Sequence, residues 1–498
     1  MKRLPIFLTS LVLFFTLACS GGGESGKVDF IVLQLNDVYE IAPIEGGKAG
    51  GMARVATVRN QLLKENPHVI TVLAGDFVSP SLIGTLNYQG EKIAGKHMVE
   101  VMNALGVDYV VPGNHEYDIK EEEHLKRVAE SEFIWTTTNC FHVVDGEVVP
   151  WMQNGKPFPD HVIHTIDGVD IAFFGSTVPF NRQKWVSYTD KYSSVKDVYE
   201  KIKDDTEVFI GLTHLEKYMD DSLGTYVVPE LDLILGGHDH TNMKFDFNGT
   251  IMTKADANAK TVYVHRMSYD KATKEVSIDS ELVTINDQIE DDPEVKAVVD
   301  KWVDISNTSM AEMGYHPDSV AMKTSEVLDG RESSIRYRPT NYPIMTAESF
   351  LFADPTLDFA IFNSGSMRLD DQLTGTLTEY DILRSFPFGG GIAIAQLKGD
   401  VIERILEVGT VQNVGIGGYL QLAQAEKKED GWYINGSKLS QSKTYKVAIP
   451  DFVMGGGEKN LEFIGDYKKQ STEPKAFRGI KNDIRDIILA YMRQLDQE

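Results

Sequence analysis

Short apolar runs that stop abruptly at polar residues set the rhythm of the first half of the chain. "FIVLQL" stops at Asn36-Asp37, "VITVLAG" at Asp76, "DYVVPG" leads into Asn114-His115, "EVFIGLT" into His214, and "LDLILGG" into His238-Asp239-His240. The runs are continuous rather than alternating, which predicts strands covered on both faces. "GMARVATVRNQLLKEN" and "GKHMVEVMNALG" lie between the early runs and carry apolar residues at helical spacing. Strands and helices in this order predict a layered α/β sheet. Ligands of such sheets gather just beyond the carboxyl ends of the strands.

At 498 residues the chain is too long for one core, so two domains are expected, with room for a third. A hydrophobic share of 42% and a charged share of 25% are ordinary for a globular protein. The formal net charge of -25 argues against nucleic acid or an anionic membrane as the main partner. It excludes no small anionic substrate, because metal ions or arginines can reverse the field inside a cleft. No protein partner is evident. The start, MKRLPIFLTSLVLFFTLACSGGGESG, places Lys2 and Arg3 before an apolar run that is too short to span a bilayer. It reads as a signal peptide over residues 1–19 and a Gly/Ser tether over 20–26. Ala18-Cys19 before Ser-Gly-Gly-Gly resembles a bacterial lipoprotein cleavage site, although Thr16 and Leu17 stand one place out of register. The expected location is therefore the bacterial cell envelope, periplasm or outer surface, with a lipid on Cys19; plain secretion is the simpler reading. Cys140 would then be the remaining thiol, so neither an intrachain disulfide nor a thiolate metal site is expected.

An aspartate after a strand is commonly a turn residue or a helix cap, and Asn114 could be either. His-x-His alone could be surface chance. The repetition of one chemistry at successive strand ends is what points to a site. Oxygen and imidazole donors without thiolates suit Zn, Mn, Co or Fe. A shared carboxylate can bridge two such ions about 3.5–4 Å apart, a clamp suited to displacement at phosphorus.

"GNHEYD" (Gly113 to Asp118), "AGDF" and "GGHDH" stand in an order that resembles the calcineurin-like metallophosphoesterases. Within them, the chain is similar to the 5'-nucleotidase family of secreted and cell-surface enzymes. The resemblance implies a four-layer α/β/β/α catalytic domain over 27–290 and an α+β substrate-binding domain over 316–498. It implies two divalent ions, one held by Asp37, Asp76 and His240, the other by Asp76, Asn114, His214 and His238. His115 and Asp118 match the family's catalytic dyad, the histidine stabilising the transition state or protonating the leaving oxygen and the aspartate orienting it.

The family pattern at the first strand is Asp-x-His, and this chain has Asp37-Val38-Tyr39. Residues two apart on a strand point the same way, so Tyr39 is expected to face the metals. A phenol with an ordinary pKa near 10 is a poor neutral ligand. Tyr39 could ligate as phenolate, favouring ferric iron; it could hydrogen-bond a water and leave that position weaker; or it could pack in the cavity wall, leaving one metal.

"DDPEVKAVVDKWVDISNTSM" puts Val295, Val298, Val299 and Trp302 on one helical face, which predicts a linker helix over 291–315. Beyond it, "RYRPTN", "NSGSMR", "FPFGG" and "IPDFVMGGGE" resemble segments of the family's C-terminal domain. By that resemblance Phe388 and Phe452 would sandwich a nucleobase, Arg336 and Arg368 would contact phosphate, and Asn363 would assist. Stacking tolerates any base, and the planar guanidinium matches two phosphate oxygens. Phenylalanines at such corners are otherwise commonly core. Departures occur here too. Ser364 and Ser366 replace family glycines, Glu458 stands where relatives carry an aspartate, and "TNYPIMTAESF" lacks the usual Leu-Gly-Asn. The expected activity is hydrolysis of nucleoside 5'-monophosphates. The alternatives are a related hydrolase of nucleotide-sugars, cyclic nucleotides or sulfur esters, and a non-catalytic surface binding module.

Overall fold

The computed structural model describes residues 26–179 and 183–497. The signal peptide and Cys19 lie outside the described residues.

Two six-stranded sheets face each other in the first domain. Strand Lys27–Leu35 sits inside the first, parallel to Val69–Ala74 and antiparallel to Thr261–Asp270. Strands Val208–Thr213 and Leu233–Gly236 lie inside the second, parallel to each other. Along the first strand Phe30 and Val32 enter the core between the sheets, where they meet Phe173, Ile210 and Leu235. Ile31, Leu33 and Leu35 point the other way, into a core under helices Met52–Glu65 and Lys96–Leu105. Helix Lys191–Ile202 covers the far face of the second sheet through Val195 and Val198. The result is a four-layer α/β/β/α domain. Two-sided burial is why the apolar runs are continuous, each buried Val, Leu or Ile contributing about 1.5–3 kcal/mol.

The second domain is α+β, built on a five-stranded sheet that contains Phe359–Asn363, Ile392–Lys398 and Thr444–Pro450. Helices Asn341–Ala353 and Ile484–Leu495 cover one face, and Gly399–Glu407 the other. Helix Pro293–Glu312 connects the two domains. Asp292 caps it by accepting from the N–H groups of Glu294 and Val295. Trp302 packs into the core of the first domain and Met310 into that of the second. Val298 is only partly buried against the first core.

His97, His124 and His265 are buried away from the strand ends. Burial pushes each down to about 3, with nearby Arg127 adding to the effect on His97. In the unfolded chain each returns to about 6.5. Below that pH the unfolded state binds protons that the folded state refuses, so stability is expected to fall as pH drops from about 6.5 toward 3. Each histidine contributes a slope of about 1.4 kcal/mol per pH unit. His124→Phe should flatten the pH dependence of chemical denaturation between pH 6 and 4 by about that amount. An unchanged slope would show that His124 does not stay neutral in the fold.

Candidate active site

The strand ends of both sheets turn sharply at one rim. Asp37, Asp76, His238 and His240 all adopt left-handed backbone, with φ of 52°, 56°, 82° and 55°. Such geometry is uncommon without glycine and clusters at functional sites. The glycines beside these residues have a different role, which is to let the loops approach one another. A Cβ on Gly113 would lie 2.1 Å from Asp76 Oδ1. Glu116 then staples two of the loops, its carboxylate accepting from the backbone N–H groups of Gly113 (2.5 Å), Asp76 (2.9 Å), Phe77 (2.8 Å) and Val78 (3.1 Å).

The ligand atoms of Asp76, His214 and His238 lie within 4.8 Å of one another, as do those of Asp37, Asp76 and His240. Asp76 belongs to both groups: its Oδ2 is 3.1 Å from His214 Nε2 and 3.3 Å from the Tyr39 hydroxyl. His214 Nδ1 lies 2.7 Å from the Ala74 carbonyl, which turns Nε2 toward the cluster. His240 Nε2 faces Asp37 Oδ1 at 3.2 Å. Asn114 is fully buried, and neither atom of its amide has a hydrogen-bond partner. The electrostatics agree with a cation-seeking cluster. Burial pushes the Asp37 carboxyl up, but His240 and His214 outweigh it and hold it low. Burial pushes His214 down, yet Asp76 and Asp37 raise it to about 9. His238, facing His214, is driven down to about 3 by burial and by that neighbour. Carboxylate, amide and imidazole donors that draw positive charge to their centre fit the two divalent ions.

Tyr39 turns its hydroxyl into this cluster, 3.0 Å from His240 Nε2 and 3.5 Å from Asp37 Oδ1. Burial, Asp76 and Asp37 push the phenol well above its ordinary value. The hydroxyl thus points into the candidate ligand group. Tyr39→His is expected to raise the occupancy of that position or change its metal, as read by metal analysis of the purified protein. Identical content in both chains would remove this residue as a tuner of the site.

His115 Nδ1 is 2.6 Å from Asp118 Oδ2. Burial lowers His115, and Asp118 with Asp76 more than offsets that, so the imidazole is raised. Arg368 reaches in from the second domain, 3.2 Å from His115 Nδ1 and 3.5 Å from Asp118. A cavity of about 390 Å³ opens here, lined by Asn114, His115, His238, His240, Arg336 and Tyr337 among others. Arg336 is paired with Glu332. Asn363 donates to Glu458 at 2.8 Å. Both serines that replace family glycines are accommodated. Ser364 donates to the Ile335 carbonyl at 2.6 Å, and Ser366 to Asn363 Oδ1 at 2.8 Å. Phe388 and Phe452 stand 59% and 53% exposed, the first on a loop and the second in the short helix Asp451–Met454, whose Asp451 accepts from Gly391 N–H. Neither is among the residues lining the cavity.

Sequence reasoning passed over Glu116, although it stands inside the quoted "GNHEYD". It also passed over Asn258, whose side-chain oxygen accepts from Tyr39 N–H at 3.0 Å. Lys254 was missed as well. Fully buried, it ties the Leu215 carbonyl to Gly237 and Asp239, bracing the loops of His214 and His238. Neither Asn258 nor Lys254 carries a local sequence signal.

Residues 30–242 match the family model for the calcineurin-like phosphoesterase, and 320–464 that for the 5'-nucleotidase C-terminal domain. The chain belongs to the 5'-nucleotidase family of calcineurin-like phosphoesterases. It is accordingly a metal-dependent phosphoric ester hydrolase. The chain is 25% identical to a 5'-nucleotidase of Bos taurus over 480 residues, covering 84% of this chain and 80% of that one. It is 25% identical over 412 residues to a 5'-nucleotidase of Vibrio cholerae, covering 72% of each. A 5'-nucleotidase precursor from Thermus thermophilus shares the fold of this family member at 19% identity. The TM-score is 0.72 over 94% of this chain and 97% of that one.

Proposed function

We propose that this protein hydrolyses nucleoside 5'-monophosphates to nucleoside and inorganic phosphate outside the cytoplasm, a scavenging step that frees the nucleoside for import. The observation that carries the reading is that His115, held by Asp118 and touched by Arg368 of the second domain, shares an interdomain cavity with Asn114, His238 and His240 of the strand-end cluster.

In this reading Asp37, Asp76 and His240 hold one ion, with the Tyr39 hydroxyl beside it, and Asp76, Asn114, His214 and His238 hold the other. When bound, the pair supplies Lewis acidity, which eases deprotonation of a water and draws charge from a phosphoryl oxygen. Arg368, with Arg336 beside it, holds the remaining phosphate oxygens, where a planar guanidinium adds direction as well as charge. The new P–O bond forms in line with the ester bond that breaks. His115, with Nδ1 held by Asp118, delivers a proton through Nε2 to the departing oxygen. Phe388 and Phe452 lie exposed on the second domain, where they would stack on the base, and the family resemblance implies a rotation of one domain against the other. Asn363 and Glu458 form a hydrogen-bonded pair beside Arg336 that suits ribose hydroxyls.

Export rests on the N-terminal sequence pattern. No helix among the described residues is long and apolar enough to cross a membrane.

A hydrolysis panel tests the proposal. Inorganic phosphate from nucleoside 5'-monophosphates is compared with nucleoside monophosphate from nucleotide-sugars and cyclic nucleotides, and sulfate release from sulfur esters is followed in parallel. Mn, Zn, Co or Fe is added in turn, and EDTA serves as control. Monophosphates are expected to turn over fastest and EDTA to stop the reaction. A faster diphosphate, diester or sulfur ester would replace the substrate class, and silence across the panel would leave the binding module.

A further inference from the structure

Both histidines that face Asp76 and Asp37 need a group that holds the nitrogen turned away from the cluster. For His214 that group is the Ala74 carbonyl of its own domain. For His240 it comes from the other domain: Asp370 Oδ2 lies against His240 Nδ1. The contact is built rather than incidental. Asp370 Oδ1 accepts from the Glu332 N–H at 2.6 Å, which fixes the carboxylate. The Asp370 backbone is left-handed, at φ 42°, so strain is tolerated to aim it. The same short segment places Arg368 against His115 and Asp371 on Lys260 at 2.8 Å.

We infer that Asp370 is a positioning residue for the first metal position, orienting His240 from across the domain boundary so that cation affinity there depends on the domain arrangement. The inference rests on the ligand set proposed above. A carboxylate on the outer nitrogen of a ligating imidazole fixes ring orientation and strengthens the donor, and its loss typically costs about 10–100-fold in metal affinity. The second position, braced wholly within the first domain, is independent of Asp370.

The test is a titration of the full chain with Mn²⁺ alone, following free ion by electron paramagnetic resonance, for the parent, Asp370→Asn, Asp370→Glu and Asp371→Asn. Circular dichroism checks that each is folded. Asp371→Asn removes an ion pair from the same boundary without touching His240. The parent is expected to bind two ions. Asp370→Asn should weaken one of them about 10–100-fold and leave the other alone. Asp370→Glu should recover part of that loss, and Asp371→Asn should match the parent. Unchanged affinities in Asp370→Asn, equal weakening of both ions, or the same loss in Asp371→Asn each overturn the inference while leaving the ligand set intact. A parent that binds no Mn²⁺ overturns the ligand set and the inference together.

Discussion

Asparagine at position 76 is expected to empty both metal positions at once and to lower phosphate release by about 10³-fold or more. Asp76 is the residue shared by the two candidate ligand groups, and its carboxylate touches both His214 and Tyr39. An amide keeps the shape but removes the charge that offsets two cations held close together. Metal ions of this kind contribute several kcal/mol to stabilising the transition state, and each 1.36 kcal/mol is tenfold in rate. Asp37→Asn supplies the contrast, since Asp37 appears in only one group; that variant should lose one ion and keep the other. Metal analysis reads both outcomes. If Asp76→Asn retains two ions, the shared carboxylate does not bridge, and the geometry proposed for the pair is wrong.

Alanine at position 115 is the second large effect. Turnover of a nucleoside 5'-monophosphate should fall about 10²–10⁴-fold, the range for losing a positioned acid. Metal content should stay at the parent level, because the imidazole is held by Asp118 and is not among the candidate ligand groups. The nature of the ester separates a proton donor from a mere structural residue. A nucleoside leaves as a basic alkoxide that needs the proton, whereas p-nitrophenolate leaves without one. The loss for p-nitrophenyl phosphate should therefore be much smaller. Equal losses on both esters would take the proton-donor role away from His115.

The catalytic half was readable because two-sided burial leaves a plain mark. Strands such as Lys27–Leu35 and Val208–Thr213 are apolar without alternation, and their ends carry the polar residues that gather at one rim. The Tyr39 hydroxyl does turn to Asp37 and His240, but strand parity is not the cause: the strand ends at Leu35 and Asp37 has left-handed backbone. What the residues could not announce is anything that depends on distant chain meeting distant chain. Asp370 meets His240 only because one domain lies on the other. Lys254 reads as a strand residue until Asp220 and Asp239 are seen around it. The aromatic pair shows the opposite limit. Phe388 and Phe452 come from a loop and a short helix that do adjoin, yet both are exposed and neither lines the cavity, a matter of tertiary placement about which local sequence is silent.

Asp37, Asp76, His238 and His240 keep left-handed backbone under side chains larger than glycine's. Strain of this kind costs of order 1–3 kcal/mol per residue, at the lower end for aspartate and histidine. The close-packed strands below hold it permanently, so an arriving cation finds its donors already aimed and little of its affinity is lost to ordering them. Glycine at any of these positions would relax the main chain and take away the donor with it, so selection for a hardier scaffold alone would erode the rim first.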